Sequence, residues 1–288
     1  MSMARGLSIF FKAPSAVFGL AIVTAAGIAA VLAPVLAIQN PFDLAGLSIA
    51  DAQLAPGTGG ADGKTRWLGT DDQGRDLYSA ILYGLRVSLI VAIVSTATAC
   101  VLGTVIGVIA GYRGGWLDGL LMRLADMQLA FPSILVALVL LALLGPGIEK
   151  VIIAIVTVQW AYYARTARGS VLVERTKEYV LAARNLQYSA ARIMFLHLLP
   201  NSLAPLSVVV VVQMAAAIAL EATLSFLGVG LPITEPSLGL LIANGYASML
   251  SGEYWLSFYP GVVLLSVLLG MNLLGERLRA FNDPRIVA

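Results

Sequence analysis

The chain has 288 residues, 59% of them hydrophobic and 12% charged, with a formal net charge of +2 and a mean hydropathy of +0.89. An ordinary soluble domain carries about 25% charged residues, so this composition belongs to a protein that resides in lipid. A single Cys (Cys100) and a single His (His197) exclude a disulfide framework and any multi-ligand His/Cys metal site.

A bilayer core about 30 Å thick needs about 20 apolar residues of helix. Residues 13–38 supply the first such run, uncharged throughout. Arg5 and Lys12 ahead of it resemble the start of a cleaved signal, but a signal's apolar core is only about 7–15 residues long, so a retained span is expected. The Gly- and Asp-rich stretch that follows contains two lookalikes. Gly57 to Thr65 suggests a phosphate-binding loop, yet that motif needs Gly where Thr58 stands, and no nucleotide or other cofactor is expected on this chain. The acids Asp71, Asp72 and Asp76 suggest calcium, but the alternating ligands and distal Glu of an EF-hand are missing. Thr70 with Gln73 instead reads as a capping box for the second helix, with the acids favouring its positive end.

Residues 87–112 form the second apolar run. In it Ala99, Gly103, Gly107 and Gly111 recur every four residues, a flat face on which another helix can approach closely. Packing within the subunit is the simpler reading of that face, and a place at a dimer seam or translocation path the functional one. Cys100, beside this face, reads as a small packed hydrophobe rather than a reactive thiol. A third run extends from about residue 127 to Gly145-Pro146-Gly147, with Arg123 and Asp126 one turn apart and expected to pair before Pro132 adjusts the helix path. The fourth, residues 151–164, is short and must borrow neighbours across Glu149-Lys150 or beyond Arg165. The fifth covers about 204–231 and is interrupted by Glu221, whose charge would cost on the order of 2.5–3.5 kcal/mol at the bilayer centre. Glu221 must therefore face protein or water, either lining the transport path or serving as a structural polar residue. The sixth run is residues 254–275, so the expected fold is an all-α polytopic membrane protein with six transmembrane helices.

Between the fourth and fifth runs lies the longest internal polar segment, residues 165–201, with six Lys or Arg. Such residues accumulate on the cytoplasmic side. With the amino terminus inside, this segment and both termini are cytoplasmic, while the outer segments hold most of the acids. Residues 178–186 form a candidate short helix with a small Ala182-Ala183 surface suited to close docking, and Pro200 favours a bend before the fifth span. A solvated amphipathic helix on the membrane surface is the alternative.

The segment Glu178-Tyr179-Val180 with Ala182-Ala183, followed by His197 and Leu199-Pro200-Asn201, resembles the EAA coupling loop of bacterial ABC importer permeases. From Trp67 onward the resemblance is to the C-type permease subunit of dipeptide, oligopeptide and nickel importers. It is carried by Gly69-Thr70-Asp71 with Gly74-Arg75-Asp76, by Gly111-Tyr112-Arg113-Gly114-Gly115-Trp116, by Phe131-Pro132, by Glu221 with Leu224 to Gly228, and by Asn272 to Gly275 before Asp283-Pro284-Arg285. The family usually has Gly where Gln187 stands, so Gln187 must adopt a more ordinary backbone conformation or tolerate strain.

The resemblance implies a type I importer permease fold in a bacterial cytoplasmic (inner) membrane. It implies a heterodimer with a homologous permease, two cytoplasmic ATPases docked on Glu178, Tyr179, Ala182, Ala183, Gln187, His197, Pro200 and Asn201, and an external substrate-binding protein. Lipid is the remaining partner, and no nucleic acid is expected. Residues 1–40 then form the cytoplasmic start and first helix, 41–85 an external loop, 86–278 the transmembrane domain with its coupling loop at 165–203, and 279–288 a cytoplasmic tail. The substrate would be a peptide or similar small solute, and ATP hydrolysis would belong to partner chains. An ion-coupled secondary transporter or channel subunit is the main rival, for which Glu221 is a lone candidate site. An intramembrane enzyme is weaker still, because His197 and Cys100 are distant and form no recognisable catalytic pair.

Overall fold

The computed structural model describes residues 13–43, 47–232 and 234–282. Nine helices of eight or more residues organise the described residues: α1 (Pro14–Val31), α2 (Leu77–Arg113), α3 (Gly115–Ala130), α4 (Ser133–Leu144), α5 (Ile148–Glu174), α6 (Glu178–Asn185), α7 (Leu199–Phe226), α8 (Leu238–Ala247) and α9 (Trp255–Asn282). A two-residue hairpin, β1 (Thr58–Gly59) and β2 (Thr65–Arg66), pairs Thr58 with Arg66.

The axis of the molecule is α2. Its 37 residues contain no proline, and at 1.5 Å per residue they span about 55 Å, well beyond the hydrocarbon core. The helix begins at Leu77 rather than after residue 85, where the sequence places the end of an external loop. The extra turns form because Leu77, Ala80, Ile81, Leu82 and Leu85 are buried, with Ser237 and Leu238 at the start of α8 closely opposed to Gly84. The cap is also a correction. Asp76, not Thr70, stands at the N-cap and accepts from the Ser79 amide at 2.8 Å and the Ser79 hydroxyl at 2.6 Å. Thr70 is committed elsewhere: its hydroxyl donates to the Asp51 carbonyl and accepts from the Leu54 amide at 2.8 Å.

The glycine stripe of α2 packs within the subunit, against α5. A Cβ at Gly103 would meet the Trp160 carbonyl and, at 2.7 Å, the Tyr163 Cβ; at Gly107 it would meet the Ala164 carbonyl and, at 2.8 Å, the Ala167 Cβ. Only glycine permits this backbone-to-backbone approach. Helix α5 extends the expected fourth run in both directions, from Ile148 to Glu174. The third run is not continuous. Phe131 is extended and Pro132 stands at the N-cap of α4, so α3 and α4 meet at a 92° bend. Proline disfavours the helical conformation in the residue before it and offers no amide to continue the ladder.

By length and composition, α1, α2, residues 190–226 containing α7, and residues 255–280 of α9 can each cross a membrane, and the bent α3–α4 pair makes five if counted as one span. The protein is thus a mostly helical, multi-pass membrane protein. Helix α5 carries Glu149, Lys150, Arg165, Arg168 and Glu174, too many charges to qualify on composition alone.

Two cores share this scaffold. One surrounds the start of α2 and includes Leu77, Ile81, Val91, Leu141, Ile155, Ile218 and Leu238. The other surrounds its far end and includes Val108, Tyr163, Val171, Val180, Ala183, Ile193, Leu198 and Leu206. The ends of the molecule are accordingly a hairpin side, residues 47–76, and a loop side, residues 175–198, separated by most of the length of α2. Helix α8, absent from the sequence reading, is wedged between α7 and α9: Gly239 lies against the Ala222 backbone and Gly245 against that of Leu256 and Ser257.

Candidate functional site on the loop side

The polar segment between the fourth and fifth runs condenses to a compact structure, because α5 continues to Glu174 and α7 starts at Leu199. Helix α6 is short but well specified. Glu178 lies in its first turn and Arg184 in its last, each complementing the helix dipole. Tyr179 donates its hydroxyl to Glu174 Oε2 at 2.7 Å, and Lys177 meets Glu174 Oε1 at 2.6 Å. Partial burial and the neighbouring Glu174 carboxylate push the Tyr179 hydroxyl up to about 12, so it remains a donor at any physiological pH.

The two alanines do not share a surface. Val180 and Ala183 point into the second core, Ala183 only 2% exposed. Glu178, Leu181, Ala182, Asn185 and Leu186 are exposed. The outward face is therefore an acid, an amide and two leucines around the small Ala182. The expectation that Ala183 shares this face is corrected: the helical period of 3.6 residues turns it inward one position after Ala182.

Gln187 resolves to the strained alternative, with φ of 56°. It ends α6 in a Schellman turn: the Gln187 amide donates to the Arg184 carbonyl at 2.9 Å and the Tyr188 amide to the Ala183 carbonyl at 3.1 Å. That pattern places Gln187 at the left-handed position where glycine is favoured. Beyond it, the Arg192 guanidinium lies 4.2 Å from the centre of the Tyr188 ring. The His197 ring lies 5.9 Å from the Tyr188 ring, centre to centre, in a π-helical turn, Ile193–Leu198. Asn201 donates to the His197 carbonyl at 2.7 Å, and Pro200 is exposed in the first turn of α7. The residues from Glu178 to Asn201 thus form one continuous unit at the end of the bundle.

Cations of this unit and of α5 beside it tie the loop side to α2 and α3. Arg175 Nη1 donates to the Gly111 carbonyl at 2.8 Å, and Arg184 lies 5.2 Å from the centre of the Tyr112 ring. Arg168 forms a bidentate pair with Asp118 at 2.6 and 2.7 Å. Asp126 pairs with Arg165 at 3.3 Å, not with Arg123 as expected, because α3 packs beside α5 and brings the two side chains together. Complementary charge at distant sequence positions was the only signal available for these pairs.

Glu221 is fully buried. It accepts from Ser88 at 2.6 Å and from Ser225 at 2.9 Å, joining α2 to α7. The phosphate-loop lookalike forms the β1–β2 hairpin, and Lys64 donates to the Ile38 carbonyl at 3.3 Å. No helix begins at its end to receive a phosphate. Among the described residues, no group of three or more His, Cys, Asp or Glu could hold a metal ion.

A bundle of long apolar helices with a short helix folded under one end defines a multi-pass membrane protein. The chain belongs to the binding-protein-dependent transport system inner membrane component family, whose profile matches residues 103–288. It is 36% identical over 271 residues to a dipeptide transport system permease protein of Alkalihalophilus pseudofirmus, covering 94% of this chain and 86% of that protein. It is 32% identical over 271 residues to an oligopeptide transport system permease protein of Bacillus subtilis, covering 94% and 86%. A putative peptide transport system permease protein of Brucella suis is 40% identical over 222 residues, covering 76% of this chain and 73% of its own length. The chain is a transport permease.

Proposed function

We propose that this chain is one half of the translocation pathway of an ATP-driven importer for peptides or similar small solutes. The relatives named above are dipeptide, oligopeptide and peptide permeases, which supports the substrate class. A homologous permease supplies the other half, two separate ATPases dock on the loop side, and an external binding protein delivers the solute on the hairpin side. Both termini face the cytoplasm, as the Lys and Arg distribution favours. In this reading the fold is the six-span type I permease fold, with residues 86–278 as its transmembrane domain, α5 as the fourth span and the bent α3–α4 pair as the third. The chain itself performs no catalysis and needs no cofactor. ATP binding closes the ATPases, movement passes through α6, and the bundle opens outward; hydrolysis returns it inward. Energy from the ATPases can bias the helices only if α6 stays attached in both states.

The observation that carries the reading is the outward face of α6, where the small Ala182 is flanked by Glu178, Leu181 and Asn185. It offers close approach at the centre and charge at the edge. Ala182→Arg tests it, because an unmatched charge at a docked interface costs several kcal/mol, enough to weaken docking by orders of magnitude. The variant should reach wild-type levels in the membrane and lose its ATPases on purification. Full transport with the ATPases retained would remove α6 from the coupling role.

A further inference from the structure

The loop side is not joined equally to all the helices above it. The last carbonyls of a helix lack intrahelical donors and form its negative end. At that end of α2, two cations converge: Arg175, from the end of α5, bonds the Gly111 carbonyl at 2.8 Å, and Arg184, from α6, lies 5.2 Å from the Tyr112 ring centre. Above these contacts α2 and α5 are in backbone contact along Gly103, Gly107 and Gly111, so neither can slide against the other without a clash. Toward α7 the connection is different in kind. It runs through the left-handed Gln187, which breaks the helix, and then through the π-helical turn Ile193–Leu198, which continues into α7 with a looser hydrogen-bond pattern.

We propose that Tyr112 and Arg184 form the joint through which movement of α6 enters the membrane bundle. Helices α2 and α5 respond as one body, and α7, tied to α2 through Glu221 toward the hairpin side, is the element whose spacing from them changes at the loop-side end. The proposal rests on the reading of α6 as the ATPase-docking helix. Tyr112 and Arg184 are positioning residues; they touch neither nucleotide nor solute. A cation over an aromatic face is suited to this task, because the attraction survives sliding across the ring while resisting separation.

Cys100 provides a native reporter. It lines a groove of about 400 Å³ between α2 and α7, together with Thr104, Leu199, Leu203, Leu206 and Val210. The assembled transporter, purified with its ATPases, would be treated with N-ethylmaleimide in nucleotide-free and ATP/vanadate-trapped states. Modification of the Cys100 peptide is then followed by mass spectrometry. The wild-type rate should differ between the two states by about fivefold or more, the lower end of ordinary coupling between two sites. Tyr112→Leu and Arg184→Gln should each abolish that difference while keeping the ATPases bound. The double variant should be no worse than either single, as a shared interaction requires, and Tyr112→Phe, which keeps the ring, should restore the difference.

A nucleotide-dependent difference that persists in both single variants overturns the joint. So does a wild-type protein whose Cys100 rate ignores nucleotide, or a Tyr112→Phe variant that behaves like Tyr112→Leu. Loss of the ATPases from the Tyr112 or Arg184 variants would reassign these residues to docking and also overturn the proposal. A wild-type preparation that carries no ATPase at all defeats the docking reading itself, which distinguishes the two failures.

Discussion

The hairpin side and the loop side are both rich in charge, yet they use it in opposite ways. On the hairpin side the buried charges are paired internally, while Asp62, Lys64 and Asp72 stay exposed. Arg75 is fully buried and meets Asp71 at 2.6 Å, Arg66 lies between Asp51 and Asp62, and Asp76 caps α2 while its amide is held by Gln39. On the loop side Lys177, Glu178, Arg184 and Arg192 are exposed, and a strained turn is held in place among them. The contrast teaches that a polar segment between membrane spans has to be read by where its charges end, not by how many it has. At one end the charges are paired inside the fold; at the other the cations are held by partners yet keep their outer faces in solvent.

The comparison can be broken most forcefully on the hairpin side. Arg75→Ala leaves the Asp71 carboxylate buried without its partner, and removing one member of a buried pair costs about 3–5 kcal/mol. The variant should accumulate poorly in the membrane and, where it can be purified in detergent, melt well below wild type. Wild-type melting would mean that the cap is not internally tied. On the loop side Ala183→Arg separates the two faces of α6. Forcing a charge into the second core should destabilise by about 2–3 kcal/mol, read as a lowered melting temperature that Ala182→Arg does not share. Equal melting of the two variants would merge the faces. Gln187→Gly is the gentlest probe. Relieving a left-handed non-glycine residue should stabilise by about 1 kcal/mol or less, visible as a small rise in melting temperature with reduced proteolysis near residue 187. A fall instead would mean that the Gln187 side chain contributes more than its backbone costs.

Much of this was legible in the sequence because a membrane span is a one-dimensional signal. Runs of apolar residues locate α1, α2, α7 and α9 without knowledge of their neighbours, and the ordered residues around Glu178 and Ala182 mark the loop. What escaped depends on the third dimension. Helix α8 is too short for a span and forms because Gly239 and Gly245 let it press against two other helices. The partner of Asp126 is Arg165, 39 positions further along the chain, and no local pattern discloses it. Pro132 announced a disturbance, but a bend of 92° rather than a kink needs the extended Phe131 beside it. The opposite fates of Ala182 and Ala183 follow from which side of α6 meets the core, and the motif alone treats them as equals.

The break at Pro132 also bears on how the chain is built. Helix α4 has 12 residues, about 18 Å of rise, too little to cross the hydrocarbon core by itself. It reaches span length only together with α3, across the bend. Gly145-Pro146-Gly147 then turns the chain into α5. The turn between α4 and α5 is anchored where the Gly147 amide donates to the Gly230 carbonyl at 3.0 Å. Because Gly230 lies beyond α7, that anchor cannot form until α7 has been synthesised, so the turn between α4 and α5 is secured later than the helices on either side of it are made.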